Sequence, residues 1–254
     1  MKKRTIFLIA LVVFFPLNNL PSYANGVSFK SNIAVQSVVQ NEAIENSVQP
    51  FLNAFPMISA DALKAAITGY TELNTRGKIT KKDIITVIDF SKPSTEERLF
   101  IIDLKCKKII EKSLCAHGKN SGELFANKFS NAPESNESSL GFYIANETYD
   151  GKHGYSLKLD GQEPGINDKA RDRGVVMHAA DYVSQSFIQA TGRLGRSQGC
   201  PAVPTKQYEK IISLIKGGSC LFIYHPDKYY SMNSPLLKHY NESCFAEAVS
   251  ALGE

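Results

Sequence analysis

Two short segments hold the residue types best suited to covalent chemistry. Val175-Val176-Met177-His178 is an apolar run that ends in an imidazole. Gly192-Arg193-Leu194-Gly195-Arg196-Ser197-Gln198-Gly199-Cys200-Pro201 is a glycine- and arginine-rich stretch that delivers a thiol 22 positions after that imidazole. A thiol is a poor nucleophile until a base or a cationic neighbour turns it into thiolate. His178 is the candidate base. Arg193 and Arg196 are candidate cations, able to favour thiolate or to hold a substrate carboxylate. Gly199 lets the backbone turn tightly before the thiol, so that the amides of Gly199 and Cys200 can face a developing oxyanion. A His and a Cys at this separation also arise by chance. The competing reading makes His178 a strand-end residue and Cys200 half of a disulfide, with Cys220 and Cys244 as available partners.

The elements that must position these groups are mostly strands. Ile84–Phe90, Leu99–Leu104, Ile109–Ala116, Leu140–Ala145, Tyr155–Leu159, Gly174–His178 and Ser219–Tyr224 are short runs rich in β-branched and aromatic residues. Lys105-Cys106-Lys107-Lys108 fits a hairpin turn, which places Cys106 and Cys115 at opposite ends of that hairpin, too far apart to pair. Asn120 to Ser139 is rich in Asn, Ser, Gly and Glu and reads as a long surface loop, a kind that is often functional in compact domains. Helical periodicity starts at Ser59, a predicted N-cap, and stops near Gly77; a second helix is predicted from a Thr205 cap to Lys216, stopped by Gly217-Gly218. Many strands, few helices and no strand–helix alternation predict a β-rich α+β domain with peripheral helices.

Composition bounds the class. The chain has 254 residues, 43% hydrophobic and 21% charged, values of an ordinary globular protein. Its formal charge of +4 includes Lys2, Lys3 and Arg4, the only charges in residues 1–24, so the remainder carries +1. That balance gives no global argument for nucleic-acid binding. Ile6 to Phe15 is an unbroken apolar run behind the basic residues, followed by Ser22-Tyr23-Ala24 at the positions a signal peptidase reads. Ten apolar residues are too few to span a bilayer, which needs roughly 20. Residues 1–24 are therefore expected to be a cleaved export signal and the mature protein to lie in the periplasm or cell envelope, with no membrane span. Residues 25–83 read as an N-terminal arm with one helix, 84–226 as the main strand-rich domain, and 227–254 as a tail with a short helix from Ser243 to Leu252. Five cysteines (Cys106, Cys115, Cys200, Cys220 and Cys244) are an odd number for an oxidising compartment. Either two disulfides leave one spare thiol, or that spare thiol is the nucleophile. No Cys/His spacing suits a metal, and no cofactor is called for.

The wider pattern resembles the catalytic domain of the L,D-transpeptidases, the YkuD family. That family carries a His, a spacer of about fifteen to twenty residues, then Ser/Thr-His-Gly-Cys. Here His178 stands first and Ser197-Gln198-Gly199-Cys200 stands last. The hairpin within Leu99–Ala116, the following Gly118-Lys119, and Ser138-Ser139-Leu140-Gly141-Phe142-Tyr143 fall in the family's order. Gly151-Lys152-His153-Gly154 together with Gly195 to Ala202 is similar to its divergent murein L,D-transpeptidase branch. The resemblance covers roughly residues 84–226.

What the resemblance implies is a β-sandwich or barrel-like domain that transfers acyl groups of peptidoglycan stem peptides. Cys200 maps onto the nucleophile, His178 onto the base, and Ser197 onto a residue that orients the His. Gly199 and Gln198 shape the oxyanion region. Gln198 replaces the family's second His and cannot carry a proton charge. Pro201-Ala202 replaces the apolar-Arg pair common after the family Cys, which moves a carboxylate-binding role to Arg193 or Arg196. His153 is either a solvated turn residue or a substrate contact in the cleft. Tyr143 and Tyr155 read as packing residues, and Tyr143 is carried also as a candidate substrate contact. His117 reads as surface or cleft rim. Rivals to transpeptidation are hydrolysis of the same peptides (as carboxypeptidase or endopeptidase) and a catalytically silent wall-binding protein.

Overall fold

The β-branched runs become the strands of one mixed sheet. The structure is a computed structural model that describes residue 53, residues 56–152 and residues 154–238. In chain order the strands are β1 (Ile84–Asp89), β2 (Leu99–Asp103), β3 (Lys108–Ser113), β4 (Gly141–Gly151), β5 (Gly154–Gly161), β6 (Val176–Ala179), β7 (Ala202–Val203) and β8 (Ser219–Tyr224). They lie in the order β3-β2-β1-β8-β4-β5-β6-β7. The β1–β8 and β6–β7 pairs are parallel and the others antiparallel. Beyond β3 the chain turns back on β7: Ala116 and Ala202 exchange backbone hydrogen bonds of 2.8 and 3.3 Å. That bridge brings the two ends of the sheet together and nearly closes it, in the barrel-like manner expected. The expected signal segment, the residues up to 52 of the arm, Cys244 and the helix proposed at Ser243–Leu252 lie outside the described residues, as does His153.

Burial explains which runs pair. β1 and β8, central neighbours, are buried almost throughout, which is why they read as continuous apolar runs rather than alternating ones. Phe142 of β4 stacks on Phe222 of β8 with ring centroids 4.1 Å apart. Helix α1 (Ala60–Thr75), capped by the Ser59 hydroxyl as expected, lays Leu63, Ala66, Tyr70 and Leu73 into the same core. The core thus begins before residue 84, and the arm's helix belongs to it.

Three differences from the sequence reading have physical causes. The predicted helix from Thr205 starts later, as α3 (Tyr208–Ile215); Pro204 accepts from the N–H groups of both Gln207 and Tyr208, so a turn occupies the expected first residues. Helix α2 (Gln185–Thr191) went unpredicted because none of its residues is buried and no apolar period marks it. The tail from residue 227 is no appendage at its start. Helix α4 (Lys228–Asn233) and the turn after it bury Tyr230, Leu236 and Leu237.

Glu163 fastens that segment. Its fully buried carboxylate accepts from the Phe142 N–H at 2.7 Å, from the Tyr230 hydroxyl at 3.2 Å and from the Ser234 hydroxyl. Burial dominates these bonds and pushes its pKa up to about 7 from 4.5. The folded protein therefore holds a proton there that the unfolded chain releases above 4.5. Stability from this group is complete at low pH, declines as pH rises from 4.5 to about 7, and stays low above that. Glu163→Gln is expected to remove that decline, worth on the order of 3 kcal/mol. Urea unfolding of both proteins across this pH range checks it; parallel curves would refute it.

Candidate active site

The thiol and the imidazole reach one cleft from the paired β6–β7 edge of the closing seam. β6 carries His178, which is buried and sits in register with Ala202 of β7, two residues beyond Cys200. The loop 197–202 is held by three neighbours. On one side, Ser197 donates its N–H to His117 O, and Lys119 donates to Ser197 O, at 2.9 and 2.8 Å. On the other, the Ser138 hydroxyl donates to Gly199 O at 3.1 Å while accepting from the Gly118 N–H at 3.0 Å. Behind it, the Val176 N–H lies 3.5 Å from Cys200 Sγ, and the thiol faces Gly174 O at 3.7 Å.

Gly199 is required here by geometry. Its φ is +124°, and a Cβ would stand 2.8 Å from Glu137 O. Gly118 meets it face to face, since a Cβ on Gly118 would stand 2.9 Å from the Gly199 Cα. Beneath this contact lies a buried guanidinium. Arg98 Nε donates to Cys115 O at 2.8 Å, Nη1 to Lys92 O at 2.9 Å and Nη2 to His117 Nδ1 at 2.8 Å, with the Phe90 ring 4.7 Å away. His117 is fully buried, not at the rim where the sequence reading placed it. Burial and the Arg98 charge push its pKa down to about 3, so it is a neutral structural link.

The roles expected of individual residues are redistributed. Ser197 accepts from the Gly199 N–H at 3.0 Å and donates to Cys200 O at 2.6 Å, so its hydroxyl braces the thiol's own turn. The group that orients His178 is the next backbone carbonyl: Nδ1 lies 2.9 Å from Ala179 O. With Nδ1–H donating there, Nε2 keeps the lone pair that a base needs. The Gly199 N–H is already spent on Ser197, so of the two amides expected to face an oxyanion only that of Cys200 is not held by this hydroxyl.

Arg193 and Arg196 are both paired with Glu123, at 2.8 and 2.6 Å. Arg196 still borders the cleft, whereas Arg193 is not among its walls. Tyr143 is fully buried and donates to Ser139 O at 2.9 Å, so its packing role holds and the substrate-contact role does not. Gln198 is exposed on the cleft wall.

The cleft measures about 740 Å³, enough for a peptide segment. Besides His178, Cys200 and Ser197 it is walled by Glu134, Asn136, Tyr149, Lys152, Arg173 and Tyr182. Sequence reasoning missed these six. The one signal was the Asn120–Ser139 loop, flagged as functional, which supplies Glu134 and Asn136, both with left-handed φ of 56° and 54°. Burial pushes the Cys200 thiol above its usual range, opposed by the Val176 N–H and the Arg173 charge. The resting Cys200 side chain is thus favoured as the protonated thiol. The described cysteines Cys106, Cys115, Cys200 and Cys220 are all free, which overturns the two-disulfide reading for these four. No group of three or more metal-ligating side chains occurs among the described residues.

A family model for the L,D-transpeptidase catalytic domain matches residues 55–224. The chain belongs to the L,D-transpeptidase catalytic domain family. No curated protein matches the sequence. Among solved structures, it is similar to an L,D-transpeptidase from Mycobacterium smegmatis, at 12% identity and a TM-score of 0.35 over 56% of this chain and 59% of that one. It is similar also to one from Stackebrandtia nassauensis, at 13% identity and a TM-score of 0.35 over 71% and 77% of the two chains. A third, from Xylanimonas cellulosilytica, gives 12% identity and a TM-score of 0.32 over 57% and 62%. The chain spans about three fifths of the length of the Mycobacterium smegmatis and Xylanimonas cellulosilytica structures.

Gly199→Ala should force the seam apart at a strained φ. A loss of about 1–3 kcal/mol is expected, seen as a lower melting temperature and faster amide exchange confined to residues 117–119 and 197–202. Unchanged exchange there would refute the packing argument.

Proposed function

We propose that the protein is an exported cysteine acyl-transferase that remodels peptidoglycan stem peptides. The observation that carries this reading is a half-buried thiol in one cleft with an imidazole whose Nδ1 is tied to Ala179 O. His178 Nε2 takes the Cys200 proton as the sulfur attacks the carbonyl of the third stem residue, at its L-configured centre. The Cys200 N–H stabilises the oxyanion. The C–N bond to the terminal D-residue breaks, its amine leaves with the proton from His178, and a thioester remains on Cys200. An amine of a second stem then attacks the thioester, His178 accepts its proton, and the thiol is restored with a 3–3 cross-link formed. Water in place of that amine gives carboxypeptidase activity. The basic and apolar opening of the sequence supports export to the envelope, where this substrate lies.

Gln198 supports one other reading, a silent wall-binding protein, because it removes a titratable group from the motif. Purified protein with a disaccharide-tetrapeptide muropeptide separates the outcomes by product mass. Cross-linked dimer is expected, and Cys200→Ala should lower its formation about 10³-fold or more. Tripeptide alone would move the assignment to hydrolysis. No conversion by folded, reduced protein would favour the silent reading.

A further inference from the structure

We propose that Arg173 is a positioning residue for Cys200, supplying the positive charge that the thiolate needs and fixing the loop that walls the cleft. The inference rests on reading Cys200 as the nucleophile. Arg173 immediately precedes Gly174, whose carbonyl faces the Cys200 thiol at 3.7 Å. Its Nη2 lies 3.6 Å from the point where a Cβ on Gly199 would stand, so the guanidinium backs directly onto the nucleophile's turn.

Its hydrogen bonds show what it does not do. Nη1 donates to Ser130 O at 2.7 Å and to Ser139 Oγ at 2.5 Å, and Nη2 to Ser135 Oγ at 3.1 Å and Glu137 O at 2.8 Å. Both terminal nitrogens are spent on neutral acceptors of the 130–139 loop. No fork is left for a substrate carboxylate, and none of these acceptors cancels the charge. The arginines assigned this task from the sequence, Arg193 and Arg196, are each paired with Glu123 instead. The same four bonds stitch down the loop that presents Glu134 and Asn136 to the cleft.

Several titratable groups stand around Cys200. Arg173 acts from the chain entering β6, His178 from β6 itself, Tyr182 from the segment after β6, and Arg196 from the thiol's own loop. Lys152 stands at the β4–β5 turn, and Glu134 and Glu137 on the 130–139 loop. Burial opposes thiolate at this position, and Arg173 is the side-chain charge that opposes burial.

Alkylation by iodoacetamide, followed by peptide mass spectrometry from about pH 5 to about pH 10, reads the thiolate directly. Exposed Cys106 provides an internal reference in every sample. Arg173→Gln is expected to slow alkylation of Cys200 about 10-fold at neutral pH, with the rate recovering at high pH and Cys106 unchanged. Arg173→Lys keeps the charge and should stay within about 2-fold of the parent. A folded Arg173→Gln protein with the parent's Cys200 profile would overturn the inference. Should that variant fail to fold, a 10-fold loss in folded Arg173→Lys would overturn it equally. The readout needs no muropeptide turnover, so a failure of the proposed function is seen separately.

Discussion

The position of the Cys200 thiol depends on two backbones in contact. Gly118 and Gly199 approach so closely that neither tolerates a Cβ, and this contact lies beside the bridge where the two ends of the sheet meet. A strand pair alone would fix β6 and β7 but leave the residues between Ser197 and Cys200 free to swing. The 117–119 segment, hydrogen-bonded along the loop, and Ser138, bonded to both backbones, remove that freedom. Arg98 anchors the same segment from within by binding the carbonyls of Lys92 and Cys115 and the ring of His117. A fully buried guanidinium is costly unless its donors are satisfied. Here each of its three nitrogens has a partner, two of them main-chain oxygens, and the bonds tie the seam to the core.

The site separates groups that hold shape from groups that face the cleft. Ser197, Ser138, His117 and Arg98 bond to backbone or to one another, and none of them lines the cleft except Ser197. Cys200, His178 and Gln198 look into the cleft. His178 Nδ1 lies against a peptide carbonyl, which favours the tautomer with its proton on that nitrogen.

Much of this was legible in the sequence because strands announce themselves locally. β1, β2, β5, β6 and β8 match their apolar runs to within a residue or two, β3 stops three residues short of its run, and the Cys106 turn falls where the lysines stand. β4 runs six residues beyond its apolar start, because a bulge between Ala145 and Thr148 keeps polar residues paired with β5. His178 and Cys200 were singled out because each ends a short local motif, an apolar strand in one case and a glycine-rich turn in the other. Arg173, Lys152 and Tyr182 were missed because the cleft gathers them from separate turns, and nothing in local pattern distinguishes a cleft arginine from a solvated one. The opposite error befell Arg193 and Arg196: nearness to Cys200 in sequence suggested a role that Glu123, more than seventy residues earlier, occupies in space. His117 failed for a related reason, since only the fold reveals that a polar residue after a strand meets a buried arginine.

The exposure of Gln198 has an evolutionary reading. Its neighbours on either side, Ser197 and Gly199, are bound into the loop's scaffold, while its own side chain takes no part in the described hydrogen bonds of that loop. The backbone around Cys200 therefore does not depend on what occupies this position. A lineage could exchange an ionisable ring for an amide here without refolding the turn, and so retune which partner enters the cleft while the inherited architecture stays intact.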